Sequence, residues 1–175
     1  HEEALARMEQ AVEDREVLLL TGEIGSGKTT LSRVLIDRLP ENFKPCLIIN
    51  PRLSPNQLLR TVAMRLGAEE PRYFKSDLVE QTFDLLFKHY QNGICPVLII
   101  DEAHLIPSRE TFEEVRLLTN YQMDKENLMS VILIGQPELN RRLENPIYQA
   151  LKQRIGIRYH LSALDRDELS DYLDF

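Results

Sequence analysis

This sequence predicts an α/β fold on one parallel sheet, and three observations carry the prediction. Short Val/Ile/Leu blocks recur along the chain, and between them lie segments with apolar residues at helical spacing. Most of the blocks are continuous apolar runs, as in strands covered by helices on both faces. The length of 175 residues fits a single domain, 1–175, able to bury a core without disulfides or metal.

The elements follow in order. An acidic N-terminal helix over 1–15 places Leu5, Met8 and Val12 on one face. Strand 17–20 runs into a glycine-rich loop, and helix 30–39 runs out of it. The second strand is 46–49. Ser54 before Pro55 reads as an N-cap with proline at the first helical position, and Gly67 closes that helix. Ser76 opens a helix over 77–90 carrying Leu78, Val79, Phe83, Leu86 and Tyr90, and Gly93 follows it. Strand 97–100 comes next, then a helix opened by Ser108 with Phe112, Val115 and Leu118 inward. The fourth strand is 131–134, Pro137 begins a short helix, and 157–161 is a weaker fifth strand. No repeat and no low-complexity tract interrupts this order.

Composition excludes several classes. The net charge is -7, with 21 Lys+Arg against 28 Asp+Glu. Residues 1–16 carry -4 and residues 161–175 another -4, which leaves +1 for 17–160. An acidic total argues against strong non-specific nucleic-acid binding, although the near-neutral body leaves DNA open as a partner. Cys46 and Cys95 are far apart and build neither a disulfide framework nor a zinc site, which fits a reducing, cytoplasmic setting. No apolar run approaches the roughly 18 residues of a membrane span, and no secretory leader pattern opens the chain. The first residue is His1, not Met, so the chain reads as a piece of a longer protein.

Three of the seven glycines fall together in Gly22-Glu23-Ile24-Gly25-Ser26-Gly27-Lys28-Thr29, with Thr30 following. This is the phosphate-binding pattern G-x-x-x-x-G-K-[ST], placed between a strand and a helix as its chemistry requires. Glycines let the main chain turn its N–H groups onto phosphate oxygens, and the helix N-terminus adds partial positive charge. Lys28 is expected on the β- and γ-phosphates of a nucleotide, and the Thr29 hydroxyl on Mg²⁺. A bare connecting turn would not need Lys-Thr in that register.

A second motif, Asp101-Glu102-Ala103-His104, ends strand 97–100 at the carboxyl edge of the sheet, where open α/β sheets bind ligands. Asp101 suits the Mg²⁺ shell, and Glu102 suits a base that activates water. His104 either contacts that carboxylate or is an ordinary loop histidine, and the ordinary role is the preferred reading. Gln136, after strand 131–134, is a candidate contact to a γ-phosphate or the attacking water. Arg154, before the last strand, is a candidate finger reaching a neighbouring subunit, with Arg141, Arg142 and Arg158 as rivals.

Together these segments resemble AAA+ P-loop ATPases, and more narrowly the ExeA/GspA-type ATPases of bacterial general secretion. The resemblance rests on the phosphate loop, Ile48-Ile49-Asn50-Pro51, Ile99-Ile100-Asp101-Glu102-Ala103-His104, Gly135-Gln136-Pro137-Glu138-Leu139, Gln153-Arg154-Ile155 and Arg158-Tyr159-His160-Leu161. It implies a three-layer α/β/α fold with five parallel strands and the phosphate-loop strand central. It also implies ATP or ADP with Mg²⁺, Gln136 as sensor, Arg154 as a finger acting between subunits, and a homo-oligomeric ring or filament. A helical lid with a second sensor arginine is expected after residue 175. A cell-wall-binding or inner-membrane portion would lie elsewhere in the full-length protein.

The first reading is an ATPase that energises assembly or remodelling with a protein partner of a secretion-type system. The Gly135-Gln136-Pro137-Glu138-Leu139 segment, with Gln153-Arg154-Ile155 after it, is also similar to TniB/TnsC-type transposition ATPases, whose output is assembly on DNA, and does not by itself separate the two. Basic Arg60, Arg65, Arg72 and Lys75 are the residues that reading would use, though scattered surface charge explains them more simply. A small-molecule kinase is disfavoured, because Glu102 directly follows Asp101 and no arginine-rich substrate lid is visible.

Overall fold

The computed structural model describes residues 1–162. The first part of the chain runs α1 (Glu2–Glu13), β1 (Val17–Gly22), α2 (Lys28–Arg38), β2 (Phe43–Ile48), α3 (Pro55–Arg65), α4 (Lys75–Gln91) and β3 (Cys95–Ile100). A short 3₁₀ turn (Ala103–Leu105) leads to α5 (Arg109–Leu118), a small hairpin of β4 (Gln122–Met123) and β5 (Glu126–Asn127), β6 (Ser130–Gly135) and α6 (Pro137–Leu143). A second 3₁₀ turn (Pro146–Tyr148), α7 (Gln149–Arg154) and β7 (Ile155–Leu161) complete it.

Five strands form one sheet in the order β2-β3-β6-β1-β7, every pairing parallel. The three interior strands β1, β3 and β6 are buried at all six positions, as their unbroken apolar runs require. Alternate residues feed two cores. Leu18, Leu20, Val97, Ile99, Ile132 and Ile134 pack with α1 and α2, whereas Leu19, Leu98, Ile100, Val131 and Leu133 pack with α3, α4, α5 and α7. The α/β/α layering predicted from the sequence is therefore present.

Some details depart from the expectation. The middle strand is β6; the phosphate-loop strand β1 is interior but adjoins the edge strand β7. The second strand lies at an edge, and its burial is uneven, not continuous. It starts earlier, at Phe43, and accommodates Pro45 because only one of its sides is hydrogen-bonded to a neighbour. Ile49, expected inside it, lies beyond its end and is exposed. Ser76 does not cap α4. The helix starts at Lys75 after an extended Phe74, and the incoming loop is braced by the Gln81 amide, which accepts from Arg72 N–H and donates to the Glu70 carbonyl.

Candidate functional site

All strands of the sheet point the same way, so the loops after β1, β3 and β6 emerge along one edge. Because β6 lies between β1 and β3, residue 136 comes out between the phosphate loop and the acidic pair. That topology converts three distant sequence segments into one site.

The loop has the backbone its glycines predict. Gly25 and Gly27 are left-handed, at φ 79° and 93°, a region costly for residues with a Cβ. At Gly22 a Cβ would stand 2.5 Å from Ser26 Oγ and 3.0 Å from the Leu161 carbonyl oxygen, so the loop can fold back tightly only without one. The N–H groups of Gly25, Gly27, Lys28 and Thr29 donate to no main-chain acceptor among the described residues. They sit at the N-terminus of α2, the arrangement that binds phosphate. Ile24 projects at the tip, 81% exposed, beside exposed Glu23, while Thr30 is half-buried in the first turn of α2.

Lys28 is buried, and its ammonium donates to the carbonyls of Gly22 at 2.6 Å and Glu23 at 2.8 Å. Burial lowers its pKa, and the carboxylates of Glu102, Asp101 and Glu23 oppose that shift. The result is a desolvated cation whose direct partners among the described residues are main-chain carbonyls and a Ser26 hydroxyl at 3.4 Å. Phosphate oxygens would be stronger partners for it.

Thr29 and Asp101 are brought together. The hydroxyl of Thr29 donates to Asp101 Oδ2 at 3.2 Å, and the other oxygen of this buried carboxylate accepts the Glu102 N–H at 2.9 Å. A hydroxyl beside a carboxylate, all-oxygen and next to the phosphate loop, fits Mg²⁺. The donor set therefore suits the nucleotide and metal that the motifs imply.

Glu102 stands in a left-handed conformation, φ 55°, with its side chain 41% exposed and directed toward His104. Here the structure corrects the sequence reading. His104 is not an ordinary loop histidine: its Nε2 lies 3.0 Å from Glu102 Oε2, and its Nδ1 accepts the Gln136 main-chain N–H at 3.2 Å. Glu138 lies 3.8 Å from the same Nε2. The Gln136 side-chain amide makes no hydrogen bond among the described residues, which leaves it available where a sensor would stand.

Arginine candidates separate clearly. Arg142 is committed to packing: its guanidinium lies over Phe112 at 4.7 Å and donates to the Ile106 carbonyl. Arg158 pairs with Glu144 at 3.6 Å. Arg141 and Arg154 are exposed. Arg154 precedes β7, whose first residue pairs with Val17 and whose last pairs with Gly22. It thus sits at the far end of β1 from the chain's own phosphate loop, about 17–20 Å away at strand rise.

A further polar chain was not legible in the sequence. Asn140 on α6 donates to the buried Thr21 hydroxyl at 3.2 Å, which in turn lies 3.2 Å from His160 Nδ1 on β7. It ties the end of β1 to both neighbouring segments. Only the pairing register shows it, because the partners lie more than a hundred residues apart.

Comparison with known proteins agrees with this geometry. A family profile described as AAA domain matches residues 10–143. The chain belongs to that family. General secretion pathway protein A of Aeromonas hydrophila is 38% identical over 181 residues, covering 100% of this chain and 32% of that protein. The chain thus spans about a third of the length of its curated relative. Among solved structures, the ADP form of the ORC2 protein of Aeropyrum pernix matches with a TM-score of 0.75 at 19% identity, over 98% of this chain and 50% of that one. Cdc6p of Pyrobaculum aerophilum gives 0.69 at 16%, over 98% and 48%, and a Walker-type ATPase of Pyrococcus abyssi 0.63 at 19%, over 99% and 56%. At such identities the likeness is one of fold. The AAA+ kinship and the secretion-type likeness expected from the motifs are both met.

Proposed function

We propose that this AAA domain binds ATP with Mg²⁺ and hydrolyses it, as the energy-supplying module of a secretion-type assembly. The observation that carries the reading is the 3.2 Å contact of Thr29 with Asp101, which joins the phosphate loop to the acidic strand with Glu102 next in sequence. The triphosphate takes the N–H groups of the loop, and the Lys28 ammonium exchanges its carbonyl partners for β- and γ-oxygens. Bound Mg²⁺, held through Thr29 and Asp101, would neutralise charge on the phosphates. Glu102 takes a proton from the attacking water as its oxygen bonds to the γ-phosphorus; the bond to the bridging oxygen breaks, releasing ADP and inorganic phosphate. Gln136 orients the γ-phosphate or the water.

Arg154 is too far from its own loop to act there, so in this reading it serves a neighbouring copy in a homo-oligomer. A finger supplied between subunits is worth about 10³–10⁵ in rate, so a monomer should be slow. The protein works in the cytoplasm, with inner-membrane association belonging to the longer protein. No helix among the described residues is long and apolar enough to cross a membrane. DNA is not the favoured partner. Arg60 stacks on Tyr73 at 5.9 Å, Arg65 donates to the Leu47 carbonyl at 3.1 Å, and Lys75 pairs with Glu114.

The test is nucleotide binding beside phosphate release. Lys28→Ala should lose binding, and Glu102→Gln should keep binding and lose turnover by about 10²–10⁴. Parental turnover by Glu102→Gln in an assembled oligomer would remove Glu102 as the base.

A further inference from the structure

We propose that His104 is the positioning residue for the hydrolytic base, fixing the Glu102 carboxylate against the main chain of Gln136; this rests on the reading of Glu102 given above. The hydrogen-bond directions leave one arrangement. The Gln136 main-chain N–H can only donate, so His104 Nδ1 must present its lone pair. The proton of the neutral ring is then on Nε2, aimed at Glu102 Oε2 3.0 Å away.

Glu102 needs such a tether. Its backbone is pinned by the N–H bond to Asp101, but its side chain is 41% exposed and no other donor among the described residues holds it. An exposed glutamate otherwise samples several rotamers, most of them unproductive. The ring itself cannot wander. Its side chain is only 5% exposed, and it lies against Gly135, where a Cβ would stand 3.2 Å from both His104 N and Nδ1. Glycine at 135 thus permits the ring to seat against the end of β6, and the base becomes linked to the turn that carries the sensor.

The two nitrogens can be separated by substitution. In His104→Asn the amide oxygen takes the place of Nδ1 and still accepts from Gln136, but nothing reaches Glu102. In His104→Gln the amide nitrogen reaches the position of Nε2 and donates to Glu102. Both are measured as full-chain oligomers for nucleotide affinity, KM and kcat. His104→Asn should lose about tenfold or more in kcat with KM and nucleotide affinity unchanged, and His104→Gln should stay within about threefold of the parent. Adding His104→Asn to Glu102→Gln should cost nothing further, because the group being positioned is gone. Parental kcat in His104→Asn, equal losses in the two variants, or a full further loss in the Glu102→Gln background overturns the proposal. Failure of the underlying reading shows separately, as parental turnover by Glu102→Gln alone.

Discussion

Lys28, Thr29 and Asp101 each bring one or two polar atoms to the candidate site, and their placement explains how much of that site the sequence disclosed. Lys28 and Thr29 are fixed by covalent spacing from Gly22 and Gly27, and Asp101 by being the first residue past a buried strand. Such local constraints are readable in one dimension. For His104 the sequence offers a contact with the nearby carboxylate as one of two readings and cannot choose it, since the atom that orients its ring belongs to a residue 32 positions away. A residue-scale prediction concerns Cys46, fully buried on β2, whose thiol burial pushes up to about 11 from 9.0. The folded thiol keeps its proton where the unfolded one has lost it. This stabilisation is therefore whole below pH 9 and is lost as pH rises toward 11. A shift of that size corresponds to about 2–3 kcal/mol. Urea unfolding from pH 8 to 11 should show a smaller alkaline loss in Cys46→Ala than in the parent, and identical slopes would refute the assignment.

Elements were legible to the extent that their signals are local. Ser54-Pro55 marks the start of α3, where the Ser54 hydroxyl accepts the Gln57 N–H and the Gln57 side chain accepts the Ser54 N–H at 2.9 Å. Because both bonds lie on one exposed turn, Ser54→Ala should cost about 1 kcal/mol and leave nucleotide affinity unchanged. A shift in urea midpoint without a change in nucleotide titration is the expected result; loss of affinity would mean that α3 bears on the site. Elsewhere tertiary contacts override local signals. Ser76 has the right chemistry for a cap, but Gln81 organises the approach one turn later in the helix and starts α4 earlier. The hairpin of β4 and β5 escapes the sequence because Asp124 and Lys125, not glycines, adopt its positive φ values of 51° and 67°. Asp124 is held there in part by the Tyr90 hydroxyl at 3.1 Å, a partner on α4.

At the scale of the whole molecule, strand order is the fact composition cannot yield, since periodicity says which segments are strands and not which are neighbours. The order β2-β3-β6-β1-β7 puts β6, with Gln136 after it, between the loop and the acidic pair, and it puts Arg154 at the opposite end of β7 from the phosphate loop. One chain therefore cannot complete its own site with that residue. Subunit mixing tests the consequence. Arg154→Ala keeps Glu102 but offers no finger, whereas Glu102→Gln offers a finger but has no base, so each alone should hydrolyse slowly. In an equimolar mixed ring, a site is competent when its own subunit is Arg154→Ala and the finger-donating neighbour is Glu102→Gln. Random head-to-tail assembly makes that roughly one interface in four, and activity should return to about a quarter of the parent. No recovery, with mixing verified by differently tagged subunits, would show that Arg154 does not act across the interface. Arg141, exposed in the last turn of α6, would then be the arginine to mix in its place.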